Sequence, residues 1–271
     1  MNKTPKASLI IACYKHTDYL EKILYSLLNQ TFKYFEIIIA EDGAYPPMLE
    51  VTSKFEGKFE FPIKHLQHED KGFRKTIIVN AAAMASDSDY LIFIDGDCIL
   101  HHQFIDRHYK RREKNVVLAG RRIMLNEKTT CNITISDIKD KLFEKQSYLS
   151  KEYTLKERKR GLYIPFIYTI LNQFVKHYYA YGSNFSVHKA DFLSVNGYDE
   201  TIIGRGLEDV NLTERFKIKS YRIKRLTYEA IQFHMHHSSD PVPHSFENEY
   251  AISHPSNFYA ENGVVKQPLT P

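Results

Sequence analysis

Residues 90–98 read Tyr-Leu-Ile-Phe-Ile-Asp-Gly-Asp-Cys, an apolar run that ends in two acids flanking a glycine. A short run that is apolar on both faces marks a strand buried on both sides, as in a sheet covered by helices. Ligands of open α/β sheets bind outside the carboxyl ends of the strands, which is where Asp95 and Asp97 fall. A tight turn is the plain alternative, because Asp and Gly both favour turns. The apolar strand before the acids counts against it, since carboxylates there bear a desolvation cost unless something pairs with them. Two carboxylates two residues apart suit a hard divalent cation, Mg²⁺ or Mn²⁺. Such an ion would bridge phosphate oxygens and offset charge on a leaving diphosphate.

Working outward, Ser8 to Ala12 and Phe35 to Ala40 are also apolar on both faces, and Ile63 to Gln67 is a weaker strand. Between them, Asp18 to Gln30 carries Leu20, Ile23, Leu24, Leu27 and Leu28 at helical spacing, with Thr17 as its N-cap. Pro46-Pro47 starts a short helix, and Arg74 to Ala85 reads as another. Strands that alternate with helices predict an α/β fold with a mostly parallel central sheet flanked by helices. The first strand then ends at Ala12-Cys13-Tyr14 and the second at Glu41-Asp42-Gly43, beside Asp95. An acid there can accept a hydrogen bond from a base or a ribose, and the Tyr14 ring can cover a base.

Further along, Val116 to Gly120, Phe185 to His188, Tyr221 to Leu226 and Ala230 to His234 read as strands, and Leu207 to Lys217 as a helix. Residues 129–161 are charged and weakly periodic, which suggests an insertion, a lid or an acceptor-side segment. Pro165 to Tyr179 is an apolar helix candidate, and the tail from Ser238 reads as loose or as an arm. The predicted organisation is one domain over 1–240, with halves 1–125 and 126–240, and a tail over 241–271.

The bulk properties narrow the class. The chain has 271 residues, 43% of them hydrophobic, enough for one large domain with a full core. No apolar run approaches the roughly 20 residues needed to span a bilayer, and the polar start lacks a signal-peptide pattern, so a cytoplasmic location is expected. The three cysteines, Cys13, Cys98 and Cys131, are scattered, which argues against a disulfide framework or a thiolate zinc site. Net charge is only +4, and no basic-aromatic interleaving suggests nucleic acid. Two basic clusters stand out: Arg107, Lys110, Arg111, Arg112, Lys114, Arg121 and Arg122, then Lys156 and Arg158 to Arg160. They read either as solvated faces or as attraction to phosphates, on a substrate or an anionic membrane.

The stretches SLIIACYKHTDYLEKILYSLLNQTF, FEIIIAEDG and YLIFIDGDC, in this order and spacing, resemble the inverting family 2 glycosyltransferases of GT-A fold. YGSNFSVHKADFLSVNGYDETIIGRGLEDVNLTERF is similar to the galactosyltransferase-type C-terminal segment. The resemblance spans roughly residues 8–125 and 178–240. It implies that Ala12, Tyr14, Glu41 and Asp42 bind uracil and ribose. It gives Asp95 and Asp97 to the metal and sugar nucleotide, and brings Arg74 and Lys75 near the nucleotide. Val79 stands where the family's commoner Arg-Asn motif has arginine before Asn80. Gly204-Arg205-Gly206-Leu207-Glu208-Asp209 matches the family's glycine-rich loop, which implies Asp209 as the general base and Glu208 as an acceptor contact. Carboxylates in a first helical turn also simply complement the helix dipole. His237, preferred to His236 in the cluster His234-Met235-His236-His237, is implied as a third metal ligand, whereas His101-His102 reads as a helix start. The expected reaction is transfer from a UDP-sugar, with Mn²⁺ or Mg²⁺, to a glycan or lipid-linked glycan, with peripheral membrane contact through the basic clusters. The alternatives are a sugar-nucleotide nucleotidyltransferase, disfavoured by a glycine-free Cys13-Tyr14-Lys15-His16 loop, and a degenerate nucleotide-sugar-binding protein.

Overall fold

The computed structural model describes residues 3–145, 161–167, 170, 179–238 and 249–266. The strands β1 (Ala7–Cys13), β2 (Phe35–Glu41), β3 (Ile63–Gln67) and β4 (Tyr90–Asp95) lie side by side in the order β3-β2-β1-β4, all parallel. The helices α1 (Thr17–Leu28), α2 (Pro46–Ser53) and α3 (Lys75–Met84) make the crossovers. Successive side chains of a strand point to opposite faces. Ile11, Ile39 and Ile92 therefore pack into one core layer, and Ile10, Ile38, Leu91 and Phe93 into the other. This two-sided burial is what made the runs apolar throughout.

The same sheet continues with β8 (Asn184–His188), β6 (Val116–Ala119) and β9 (Arg222–Arg225). β8 runs antiparallel to both β4 and β6. Two strands from the second half of the chain, β8 and β9, thus join five from the first half in a seven-stranded sheet. A smaller sheet, not foreseen from the sequence, joins β5 (Cys98–Leu100), β10 (Ile231–His234) and β7 (Arg121–Met124). β5 and β7 are too short for periodicity to reveal them. Their pairing sets His234 opposite Cys98 and Met124.

Several expectations need correction. Thr17 opens α1, but no side chain caps this helix. The described part of the charged segment is regular and packed rather than weakly patterned. It forms α5 (Glu127–Asn132), α6 (Ile135–Lys139) and a 3₁₀ turn, and sends Ile133, Ile138 and Phe143 into the main core. His101 and His102 precede α4 (Phe104–Arg111) and hold Glu144: the His102 amide donates to Oε1 at 2.7 Å, and its Nδ1 lies 2.6 Å from Oε2. The tail is not loose where it is described. Asn196, just after α7 (Lys189–Ser194), donates to the Ala260 carbonyl at 2.7 Å, and Asn211, on α8 (Glu208–Ile218), donates to that of Ile252 at 2.8 Å. Most of the apolar candidate after Pro165 and the cluster Lys156 to Arg160 lie outside the described residues.

The first basic cluster is largely paired. Lys110 and Arg107 meet Asp106, and Arg112 lies over the Tyr109 ring. Arg111 grips Glu229 through two bonds, at 2.8 and 3.0 Å, and Glu229 is fully buried. Arg111→Ala should therefore destabilise the fold by roughly 3 kcal/mol, the low end for breaking a buried pair because the guanidinium is part-exposed. Urea unfolding measures it, and an unshifted midpoint would mean that Glu229 needs no partner.

Candidate active site

The strand ends converge as the α/β pattern requires. Gly96 N–H donates to the Ala12 carbonyl at 2.6 Å, and Asp42 N–H to that of Cys13 at 2.9 Å. A side chain at position 96 would put its Cβ 2.5 Å from that of Cys13. The glycine between the two aspartates is thus demanded by close approach to β1. Around these ends lies a cavity of about 690 Å³, lined among others by Ala12, Tyr14, Asp42, Lys75, Asp95, Asp97, Glu208, Asp209 and His237. Asp97 and Asp209, 112 positions apart in the sequence (209 − 97), face one space.

Asp97 sits at the point where the small sheet meets the large one. Its Oδ2 lies 3.1 Å from His234 Nε2 and 3.2 Å from His237 Nε2, and its backbone carbonyl accepts from Met235 N–H at 2.8 Å. One ligand atom from each of the three side chains falls within 4.8 Å of the others. Both ring nitrogens of His234 are buried and lack a properly directed hydrogen bond. An imidazole aimed at a carboxylate without donating to it fits a shared cation, so this donor set suits a divalent metal. Burial opposes ionisation of Asp97, but the two imidazoles outweigh it and hold the carboxyl below its ordinary range.

The strand ends at His234, so the alternation that would have paired His234 with His236 stops there. His236 is exposed, and its backbone is held by Thr130 and Tyr19. Asp95 is not part of the histidine group. It pairs with Lys75 at 2.6 Å and stands 3.6 Å from Arg122.

The second acidic group stands at the first turn of α8. The loop before it uses Gly204 and Gly206 at φ 110° and 118°, the left-handed region that favours glycine, and Gly206 N–H donates to Glu208 Oε2 at 2.6 Å. Burial pushes the Glu208 carboxyl up to about 7; Asp209 adds to the shift and Lys75 opposes it. Asp209 is also raised by burial, against the pull of Lys75 and with the push of Asp95. Burial opposes the charge of Lys75 too, but Asp95, Asp209 and Glu208 together hold its ammonium protonated.

This has a consequence for stability. Glu208 keeps its proton up to about pH 7 when folded and releases it near 4.5 when unfolded. The folded state binds more protons in that window, so stability falls as pH rises through it. Asp209 contributes with the same sign. Glu208→Gln should flatten melting temperature against pH between about 4.5 and 7. An unchanged slope would assign the effect to other groups.

Other expected residues divide. Asp42 lines the cavity, accepting the Arg74 amide at 2.8 Å and meeting His68 at 2.7 Å. Tyr14, half exposed, donates to Asp70 at 2.9 Å and lines the cavity. Glu41 does not line the cavity: it is fully buried and committed to the Tyr45 amide and His65, each at 2.7 Å. Arg74 is also outside the lining, its guanidinium donating to the Glu69 carbonyl. Arg122, Arg205, Tyr181, Ser183 and His16 line the cavity without having been singled out as site residues. Arg122 belonged to a cluster whose charge was the only signal, and Arg205 is framed by the two loop glycines.

The sequence profile described as glycosyl transferase family 2 matches residues 8–184, and that described as the N-terminal domain of galactosyltransferase matches residues 169–238. A chondroitin synthase of Pasteurella multocida is 26% identical over 137 residues, covering 49% of this chain and 14% of that protein. A cholesterol galactosyltransferase of Borreliella burgdorferi is 28% identical over 106 residues, covering 39% of this chain and 29% of that protein. The matches thus span less than a third of these relatives' length. Among solved structures, S. aureus TarS 1-349 in complex with UDP-GlcNAc superposes with a TM-score of 0.54 at 19% identity, covering 91% of this chain and 64% of that one. That likeness establishes the fold.

Proposed function

The chain belongs to glycosyl transferase family 2 and has the GT-A fold, and from that premise we propose that it transfers a sugar from a UDP-sugar to an acceptor hydroxyl with inversion, aided by a divalent metal. The observation that carries the reading is the shared cavity: Asp97 and His237 line it, with His234 buried beside them, and the acids Glu208 and Asp209 line it too. The bound UDP-GlcNAc named for TarS, a relative in fold, supports the nucleotide assignment.

Asp97, His234 and His237 would hold the metal, which when bound supplies positive charge to the departing diphosphate. Imidazole donors suit Mn²⁺ better than Mg²⁺, which prefers all-oxygen surroundings and sheds water reluctantly. Asp42 would accept a hydrogen bond from the nucleoside, and the Tyr14 ring would cover the base. Asp209 takes the proton of the acceptor hydroxyl as that oxygen forms its bond to the anomeric carbon. The bond from that carbon to the diphosphate oxygen breaks on the opposite face, and its electron pair leaves with UDP. The raised affinity of Asp209 for a proton makes it a stronger base than an exposed aspartate. Glu208 would bind a second acceptor hydroxyl. Glycan or lipid-linked glycan synthesis is the setting this reaction fits. The described residues contain no helix long and apolar enough to cross a membrane, and docking at a membrane surface would fall to residues other than Arg111.

A thermal-shift screen of nucleotide sugars, with Mn²⁺, with Mg²⁺ and with chelator, tests the donor and the metal together. The expected outcome is a shift with one or more UDP-sugars that is larger with Mn²⁺. The anomeric configuration of the first-formed product then reads the stereochemistry. No response to any UDP-sugar, or a retained configuration, would overturn the reading.

A further inference from the structure

We propose that Tyr198 is a positioning residue for the reaction, its hydroxyl setting the direction in which Asp209 presents its carboxylate to the acceptor. This rests on the reading of Asp209 as the base. Tyr198 is 1% exposed, and its hydroxyl donates to Asp209 Oδ1 at 3.0 Å. Among the described residues Tyr198 is the side chain that hydrogen-bonds this carboxylate, and the Gly182 backbone adds a second bond to it. Gly182 also lies close against the carboxylate, where any Cβ would stand 2.5 Å from Oδ1.

The tyrosine is itself held more firmly than packing requires. Asn80, 2% exposed, clamps its backbone from α3: Tyr198 N–H donates to Asn80 Oδ1 and Asn80 Nδ2 donates to the Tyr198 carbonyl, both at 2.9 Å. Arg215, from the helix that carries Asp209, is also 2% exposed. It spends its guanidinium on the carbonyls of Val195 and Gly197, at 2.6 and 2.7 Å. Burying a guanidinium against neutral carbonyls is costly, and here it rigidifies the turn that delivers the phenol. A buried base held by neutral donors, the Tyr198 phenol and the Gly182 amide, keeps its direction without losing its charge. The charged groups facing Asp209 are Lys75 from α3, Asp95 from β4 and Glu208 beside it. Lys75 has its ammonium on Asp95 at 2.6 Å, so among the side chains orienting Asp209 falls to Tyr198. Burial and the nearby Asp209 keep the phenol protonated, hence a donor throughout the working range.

The test is Tyr198→Phe, which keeps the ring and removes the donor, assayed with the UDP-sugar identified by the screen. The expected result is a kcat about tenfold lower, the worth of one hydrogen bond to a charged group. Donor KM and UDP affinity stay at the parent level. The acid limb of kcat against pH moves to higher pH, because the base has lost a bond that favoured its ionised form. In an Asp209→Asn background the same change has no further effect. A parent-like kcat and pH profile would overturn the inference, and so would loss of UDP affinity, which would make the role structural. An Asp209→Asn enzyme that still turns over would remove the reading of the base first. An inactive Asp209→Asn beside a parent-like Tyr198→Phe would remove only this inference.

Discussion

Asp209→Asn is expected to lower turnover by roughly 10²–10⁴-fold, the usual worth of a general base, while UDP affinity stays near the parent value. The amide fills the same space and still accepts the Tyr198 hydroxyl, so the turn at Gly182 need not move. What it cannot do is take a proton. Buried beside Glu208 and Asp95, the aspartate pays for its charge in the resting enzyme, and the neutral variant should melt at least as high as the parent. Reduced activity with unchanged or raised stability is thus the combined signature. It is checked by initial rates, UDP titration and thermal melting of the same preparation. If turnover survives, proton removal belongs to another group. If UDP binding collapses with it, Asp209 organises the cavity rather than the chemistry.

Asp97→Ala should abolish the metal-dependent part of nucleotide binding and lower turnover by roughly a hundredfold or more, since metal stabilisation of the leaving group amounts to several kcal/mol. Both histidine rings lie 3.1 to 3.2 Å from one oxygen of this carboxylate, so its loss removes the anionic member of the donor set and leaves two neutral donors. Calorimetric titration of UDP with Mn²⁺ and with chelator is the measurement. In the parent the two curves should differ, and in Asp97→Ala they should coincide. His236→Ala is the internal control, because that side chain is exposed and absent from the cavity lining, and it should behave as the parent. Identical parent curves with and without metal would refute a metal role for Asp97.

Much of the framework was legible because local patterns report burial. Runs such as Leu91–Ile94 are apolar at every position, which a strand tolerates only when covered on both faces, and three such strands in parallel bring their ends together. From that, Asp95, Asp97, Asp42 and Tyr14 could be placed at one rim. The resemblance extended the reading to Glu208 and Asp209, which the chain brings back to the same cavity. Pattern alone did not separate neighbours. Glu41 and Asp42 looked equivalent, yet the pairing of β2 with β3 puts His65 and the start of α2 around Glu41 and leaves Asp42 facing the cavity. Within the cluster His234-Met235-His236-His237 the resemblance singled out His237 and gave His234 no role. The strand ends at His234, and the chain after it brings His237 to Asp97 beside His234 and leaves His236 exposed.

The amino-acid order by itself determined which segments are buried strands and helices, that acids and glycines stand at their ends, and that a sheet with a ligand-bearing rim follows. It did so because burial and backbone conformation depend on residues within a few positions of each other. Only the tertiary structure decided which carboxylate faces the cavity, which histidines meet Asp97, and that Tyr198, Asn80 and Arg215 form the support behind Asp209. Those outcomes depend on strand register and on contacts such as that between Asn80 and Tyr198, 118 residues apart, where no local pattern carries information about the partner.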